Sequence, residues 1–78
     1  MITPKKAAER VKKTQNYEQV IKVRDYDKQH YVVEALPHAN KLPHGEQVTF
    51  GVDKNTGEVT AFYIENLKHY LATPACEF

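Results

Sequence analysis

Val48-Thr49-Phe50-Gly51-Val52-Asp53-Lys54-Asn55-Thr56-Gly57-Glu58-Val59-Thr60 reads as a strand, a turn and a return strand. Strand three, Gln47 to Val52, sets Val48, Phe50 and Val52 against Gln47, Thr49 and Gly51, so side chains of opposite character fall on opposite faces of a half-buried strand. In Asp53-Lys54-Asn55-Thr56-Gly57, Asp and Asn can bond their own backbone and glycine can take positive φ, which makes the segment a hairpin loop. Strand four then runs from Glu58 to Tyr63. The spacing Asp53-x-Asn55-x-Gly57 imitates the start of a calcium loop, but the twelfth position, where such a loop needs a bidentate Glu, is Ile64.

Upstream, the same period of two extends from Tyr17. Ile21 and Val23 share one face, and Val20, Lys22 and Arg24 the other. Asp25-Tyr26-Asp27-Lys28 is a tight turn into strand two, Gln29 to Leu36, where Tyr31, Val33 and Ala35 oppose Val32, Glu34 and Leu36. Before this hairpin, Thr3 and Pro4 open an amphipathic helix whose inward stripe is Ala7, Ala8 and Val11, and Asn16 suits a left-handed exit. Pro37 and Pro43 bracket a polar loop over 37–46. At the far end, Ile64, Leu67 and Leu71 lie on one stripe of a short helix from about Ile64 to Ala72, stopped by Pro74, with a frayed tail over 73–78. The expectation is a single small α+β domain of two layers: an N-terminal helix, a four-stranded antiparallel sheet made of two hairpins, and a short C-terminal helix. The second sheet face is expected to be wet or bound to a partner.

Composition limits the function classes. With 78 residues there is no room for a separate catalytic domain, and 41% apolar against 27% charged residues is the balance of a folded domain. No apolar run approaches a membrane span, and Met1-Ile2-Thr3-Pro4-Lys5-Lys6 lacks a signal-peptide core, so a cytoplasmic protein is expected. Cys76, the single cysteine, permits no internal disulfide. Residues 1–28 carry eight Lys or Arg against four Asp or Glu, while residues 29–78 carry three against six. The basic residues Lys5, Lys6, Arg10, Lys12 and Lys13 of the first helix are candidate nucleic-acid contacts, although a pI near 7.9 is low for that class.

No set of residues carries catalysis. Cys76 sits near the chain end with no rigid base beside it in sequence, and Asp25 and Asp27 are accounted for by their turn. His38, His44 and Cys76 lack the paired spacing of a structural zinc site, and no metal or cofactor is assigned. Five tyrosines are many for this length, and tyrosine is favoured at protein interfaces. Tyr17, Val20, Tyr26, Val32 and Leu36 are therefore the candidate contacts with another protein or a second copy of the chain.

Two resemblances bear on these expectations. Val48 to Thr60, with its D-x-x-T-G-x-V turn, resembles the hairpin of small PepSY-like domains and of immunity-type domains of the YrhB kind. Over residues 3–72, the T-P-x-x-A-A helix, the Y-x-x-V-I hairpin with D-Y-D at its turn, the V-D-x-x-T-G-E-V hairpin and the closing helix resemble small proteins of phages and prophages of Gram-positive bacteria. That resemblance implies a non-enzymatic protein acting by contact, as a virion or assembly component or as an inhibitor of a host protein. The expected setting is the host cytoplasm or the virion.

Overall fold

The computed structural model describes residues 1–36 and 48–78. The expected loop at 37–46, with His38 and His44, lies outside the described residues. The elements are α1 (Pro4–Thr14), β1 (Gln19–Asp25), β2 (His30–Leu36), β3 (Val48–Asp53), β4 (Val59–Ala61), α2 (Leu67–Ala72) and β5 (Ala75–Cys76). The α+β class holds, with an N-terminal helix packed on an antiparallel sheet and a short C-terminal helix.

Local chemistry specifies α1 and the β3–β4 turn as expected. Thr3 Oγ1 accepts the Lys6 N–H at 3.2 Å, Pro4 occupies the first turn, and Asn16 leaves the helix at φ 57°. At the turn, Asp53 Oδ1 accepts the N–H groups of Asn55 and Thr56 at 2.8 and 2.9 Å, and Gly57 takes φ +77°. From within α1, Arg10 Nε donates to the Gly57 carbonyl at 3.1 Å and ties the helix to this hairpin.

The sheet has five strands, in the order β4-β3-β2-β1-β5, rather than four. Ala75 and Cys76 pair with Arg24 and Val23 on the outer edge of β1, so the segment expected to fray is partly a strand. Backbone pairing anchors it further, since the Asp25 N–H donates to the Pro74 carbonyl at 2.9 Å.

The alternation expected for β1 fails at one residue. Val20 pairs with Ala35 and Lys22 with Glu34, which leaves Ile21 as an extra residue in a β-bulge. That insertion resets the phase: Val20 joins Val23 on the helix-covered face and packs against the core, and Ile21 is exposed. On β2 and β3 the expected alternation stands. Val23, Tyr31, Val33, Ala35, Phe50 and Val52 meet Ala7, Ala8 and Val11 of α1 in one buried cluster.

Candidate protein-interaction surface

The opposite face of the sheet carries the row Arg24, Val32, Gly51 and Thr60. It is not left wholly to solvent or a partner, because the chain after β4 returns across it. Arg24, 8% exposed, holds that segment. Its Nε donates to Glu34 Oε2 at 3.2 Å, its Nη1 to the Thr73 carbonyl at 2.9 Å, and its guanidinium lies 4.9 Å from the Tyr70 ring centre. Arginine suits this place because its planar fork serves a carboxylate and backbone carbonyls at once while stacking on an aromatic face.

Short polar bonds shape α2 itself. Asn66 caps the helix, its side chain accepting the His69 N–H at 3.0 Å, and Thr73 Oγ1 donates to the Tyr70 carbonyl at 2.6 Å. Around it stands a chain of rings, with Tyr26 against Phe62 at 5.0 Å and against His69 at 5.7 Å, and Phe62 against Tyr70 at 6.1 Å. Tyr70 is 3% exposed, and its hydroxyl makes no hydrogen bond of good geometry. Burial first, and then the neighbouring Glu34 carboxylate, push its ionisation above the ordinary phenol range.

With Tyr70 turned inward, the expected apolar stripe faces out. Leu67 is 59% exposed, Leu71 57% and Ile64 39%. The preceding Tyr63 is the most exposed aromatic of the described residues, at 82%. The sequence places Ile64, Leu67 and Leu71 on one stripe without deciding which way it faces, and none of the three is among the expected contacts. One signal was available: the buried faces of β1 and β2 already had α1 to cover them, and a six-residue helix has room for only one inward side.

Of the expected contact residues, Val32 requires correction. It is fully buried in the row with Arg24 and serves as core of the second face. Val20, Tyr17, Tyr26 and Leu36 are half-buried. Val20 packs on the main core, Tyr17 lies 5.4 Å from Phe50, and Tyr26 joins the rings beside α2. Tyr31 and Tyr70 are core tyrosines.

On α1, Lys5, Lys6, Lys12 and Lys13 are exposed, whereas Arg10 is half-buried and held by the Gly57 carbonyl. Between α1 and β1 lies an open cleft of about 290 Å³ lined by Lys5, Ala8, Lys12, Val20 and Phe78, among others.

The turn end of the sheet contains a buried lysine that the sequence pattern hides. Lys54 Nζ donates to Asp25 Oδ1 and to the Asp27 carbonyl, and lies 4.9 Å from the centre of the Tyr31 ring. These contacts clamp the β1–β2 turn to the β3–β4 turn. Beside them Asp27 Oδ1 accepts the N–H groups of Gln29 and His30 at 2.8 and 2.7 Å. Partial burial raises the Asp27 ionisation, but these two backbone donors and nearby His30 outweigh it and hold the carboxyl below its ordinary 3.8.

Cys76 is half-buried opposite Val23, and burial, then Asp25, raise its thiol, which leaves it a poor nucleophile at neutral pH. Among the described residues no three His, Cys, Asp or Glu side chains cluster as metal ligands. No described helix is long and apolar enough to cross a membrane.

No family model, curated protein or solved structure matches the chain.

Proposed function

We propose that this chain is a non-enzymatic protein-interaction module that seats the outer stripe of α2 on another protein. One observation carries the reading: Leu67 and Leu71 are held outward on an element whose inner side is anchored by Arg24 and Tyr70, with Ile64 exposed just ahead of it. A short helix left to itself would turn its leucines inward. Here the polar latch on Tyr70 and Thr73 sets the orientation, and the exposed leucines are ready to be desolvated without rearrangement. The likeness of residues 3–72 to phage and prophage proteins supports a contact role of the same kind, in assembly or in inhibition of a host protein.

The test is photo-crosslinking from exposed Lys68 of α2 in the producing cell, compared with crosslinking from exposed Lys13. The expected result is one stoichiometric protein adduct from α2, lost in the Leu67→Ser, Leu71→Ser double variant. Equal yields from α2 and Lys13, or an adduct that survives the double variant, would sink the reading.

A further inference from the structure

A second surface is carried by a different observation, the charge and geometry of α1. Five Lys or Arg against one Glu leave +4 on this helix, so with a chain total of +1 the remaining residues hold −3. A pI near 7.9 is thus the cancellation of two unlike regions, and the basic one is a single helix. Lys5, Lys6, Lys12 and Lys13 are all exposed, whereas Ala7, Ala8 and Val11 are in the core. Past Pro4, the solvent face of α1 therefore has no apolar or aromatic side chain.

Lys5 and Lys12 form one row along the axis and Lys6 and Lys13 another, with about 10.5 Å of rise between the members of each. Successive residues step about 100° around the axis, which puts the two rows on the two flanks of the exposed face and Glu9 between them. The contacts agree: Lys5 and Lys12 line the cleft beside β1, while Arg10 reaches from the other flank to the Gly57 carbonyl. That bond fixes the helix on the β3–β4 turn, so the lysines project from a held scaffold. Glu9 and Glu18 also line the cleft and dilute the first row, which leaves Lys6 and Lys13 as the stronger pair.

We infer that α1 binds the phosphate backbone of double-stranded DNA, without sequence preference. A helix about 10–12 Å across enters a major groove about 12 Å wide, and lysines on its two flanks then face the phosphates of both walls. Each contact releases condensed counterions, the source of affinity in sequence-independent binding. Other partners fit less well. A helix lying on a membrane buries an apolar face, and α1 has its apolar residues in the core. A single strand is gripped by aromatic rings on which bases stack, and the core of a protein interface is depleted of lysine. The outer face of α1 has no ring, and Lys5, Lys6, Lys12 and Lys13 dominate it. The leucines of α2 take no part, so this binding stands or falls apart from the contact proposed for them.

Fluorescence anisotropy of a labelled duplex of about 20 base pairs, titrated with the full chain over a range of salt, tests this. Binding is expected to be micromolar or weaker near physiological salt and to fall with a log–log slope between about −1.8 and −3.6, two to four contacts at about 0.9 each. Lys6→Gln with Lys13→Gln should reduce that slope by about 1.8 and leave the circular dichroism spectrum unchanged, since both side chains lie in water. Glu9→Gln is expected to tighten binding at low salt about threefold, a gain that a misfolded variant would not give. The Leu67→Ser, Leu71→Ser pair should bind as the parent does. No binding at low salt, a slope unchanged in the Lys6, Lys13 variant, or a Glu9→Gln variant no tighter than the parent would overturn the proposal. So would stronger binding to a single strand of the same length or to phosphatidylserine vesicles, results that would assign α1 to those partners instead.

Discussion

On one face of the sheet, α1 lays Ala7, Ala8 and Val11 against Val23, Val33, Ala35, Phe50 and Val52, and the closure is apolar throughout. On the other, α2 is held by a guanidinium that spans a carboxylate, an aromatic face and a backbone carbonyl. The two helices differ in what remains for solvent. An apolar closure consumes the helix's apolar residues and leaves lysines outside, whereas a polar closure consumes Tyr70 and Thr73 and leaves leucines outside. The second arrangement makes a surface that another protein can use.

Breaking the first face is expected to have the largest effect. Phe50→Ala removes a buried ring that packs on Tyr17 at 5.4 Å, and it is expected to destabilise the whole domain by about 3 kcal/mol or more, read as a lower denaturation midpoint with unchanged slope. A loss under about 1 kcal/mol would mean that the α1 face is not the principal core.

Arg24→Ala breaks the second face and strands Glu34, a side chain only 12% exposed, at an expected cost of about 2–3 kcal/mol. Its sharper readout is local. The Tyr70 and Thr73 amides, bonded to the Asn66 and Tyr70 carbonyls, should exchange faster while those of β2 and β3 keep their protection. Loss of protection across β2 as well would show that the two faces unfold together. Combining Arg24→Met with Glu34→Leu should recover much of the stability, because an apolar pair needs no compensating charge.

Smaller effects come from the turn that joins β1 to β2. Asp27→Ala removes two backbone hydrogen bonds at an exposed site and is expected to cost about 1 kcal/mol. The Asp27 carboxyl ionises below its ordinary 3.8 in the folded chain, so its contribution is fully present above that value and is lost as pH falls through the lower folded value. Thermal melts of the parent should therefore drop on acidification below about pH 4, and Asp27→Ala should flatten that drop. An identical acid profile in both would remove Asp27 from the account.

The smallest effect on stability is expected where the functional effect is largest. Leu67→Ser with Leu71→Ser should change stability by less than about 0.5 kcal/mol per site, since both side chains already lie more than half in water. A large destabilisation would mean that the stripe packs on the domain.

Most of the architecture was legible along the chain. Thr3-Pro4, Asn16 and the Asp53–Gly57 loop act through bonds between near neighbours, and the alternation of Tyr31, Val33 and Ala35 and of Phe50 and Val52 follows from the two-residue period of an extended chain. The candidate surface was legible only as a stripe. Leu67 and Leu71 share a side of the helix, with Ile64 just ahead of it in the structure, but whether that side faces inward depends on Arg24, some 40 positions earlier in the sequence.

What the sequence by itself determined is therefore local: the helix cap, the hairpin turn, the strand phases of β2 and β3, and a single thiol without a disulfide partner. Tertiary structure alone decided the bulge at Ile21, the pairing of Ala75 and Cys76 with β1, the burial of Val32 and Lys54, and the outward turn of the leucines. Each of these is a competition between distant groups for one bond or one cavity, and a side chain's own preferences do not contain the outcome of such a competition.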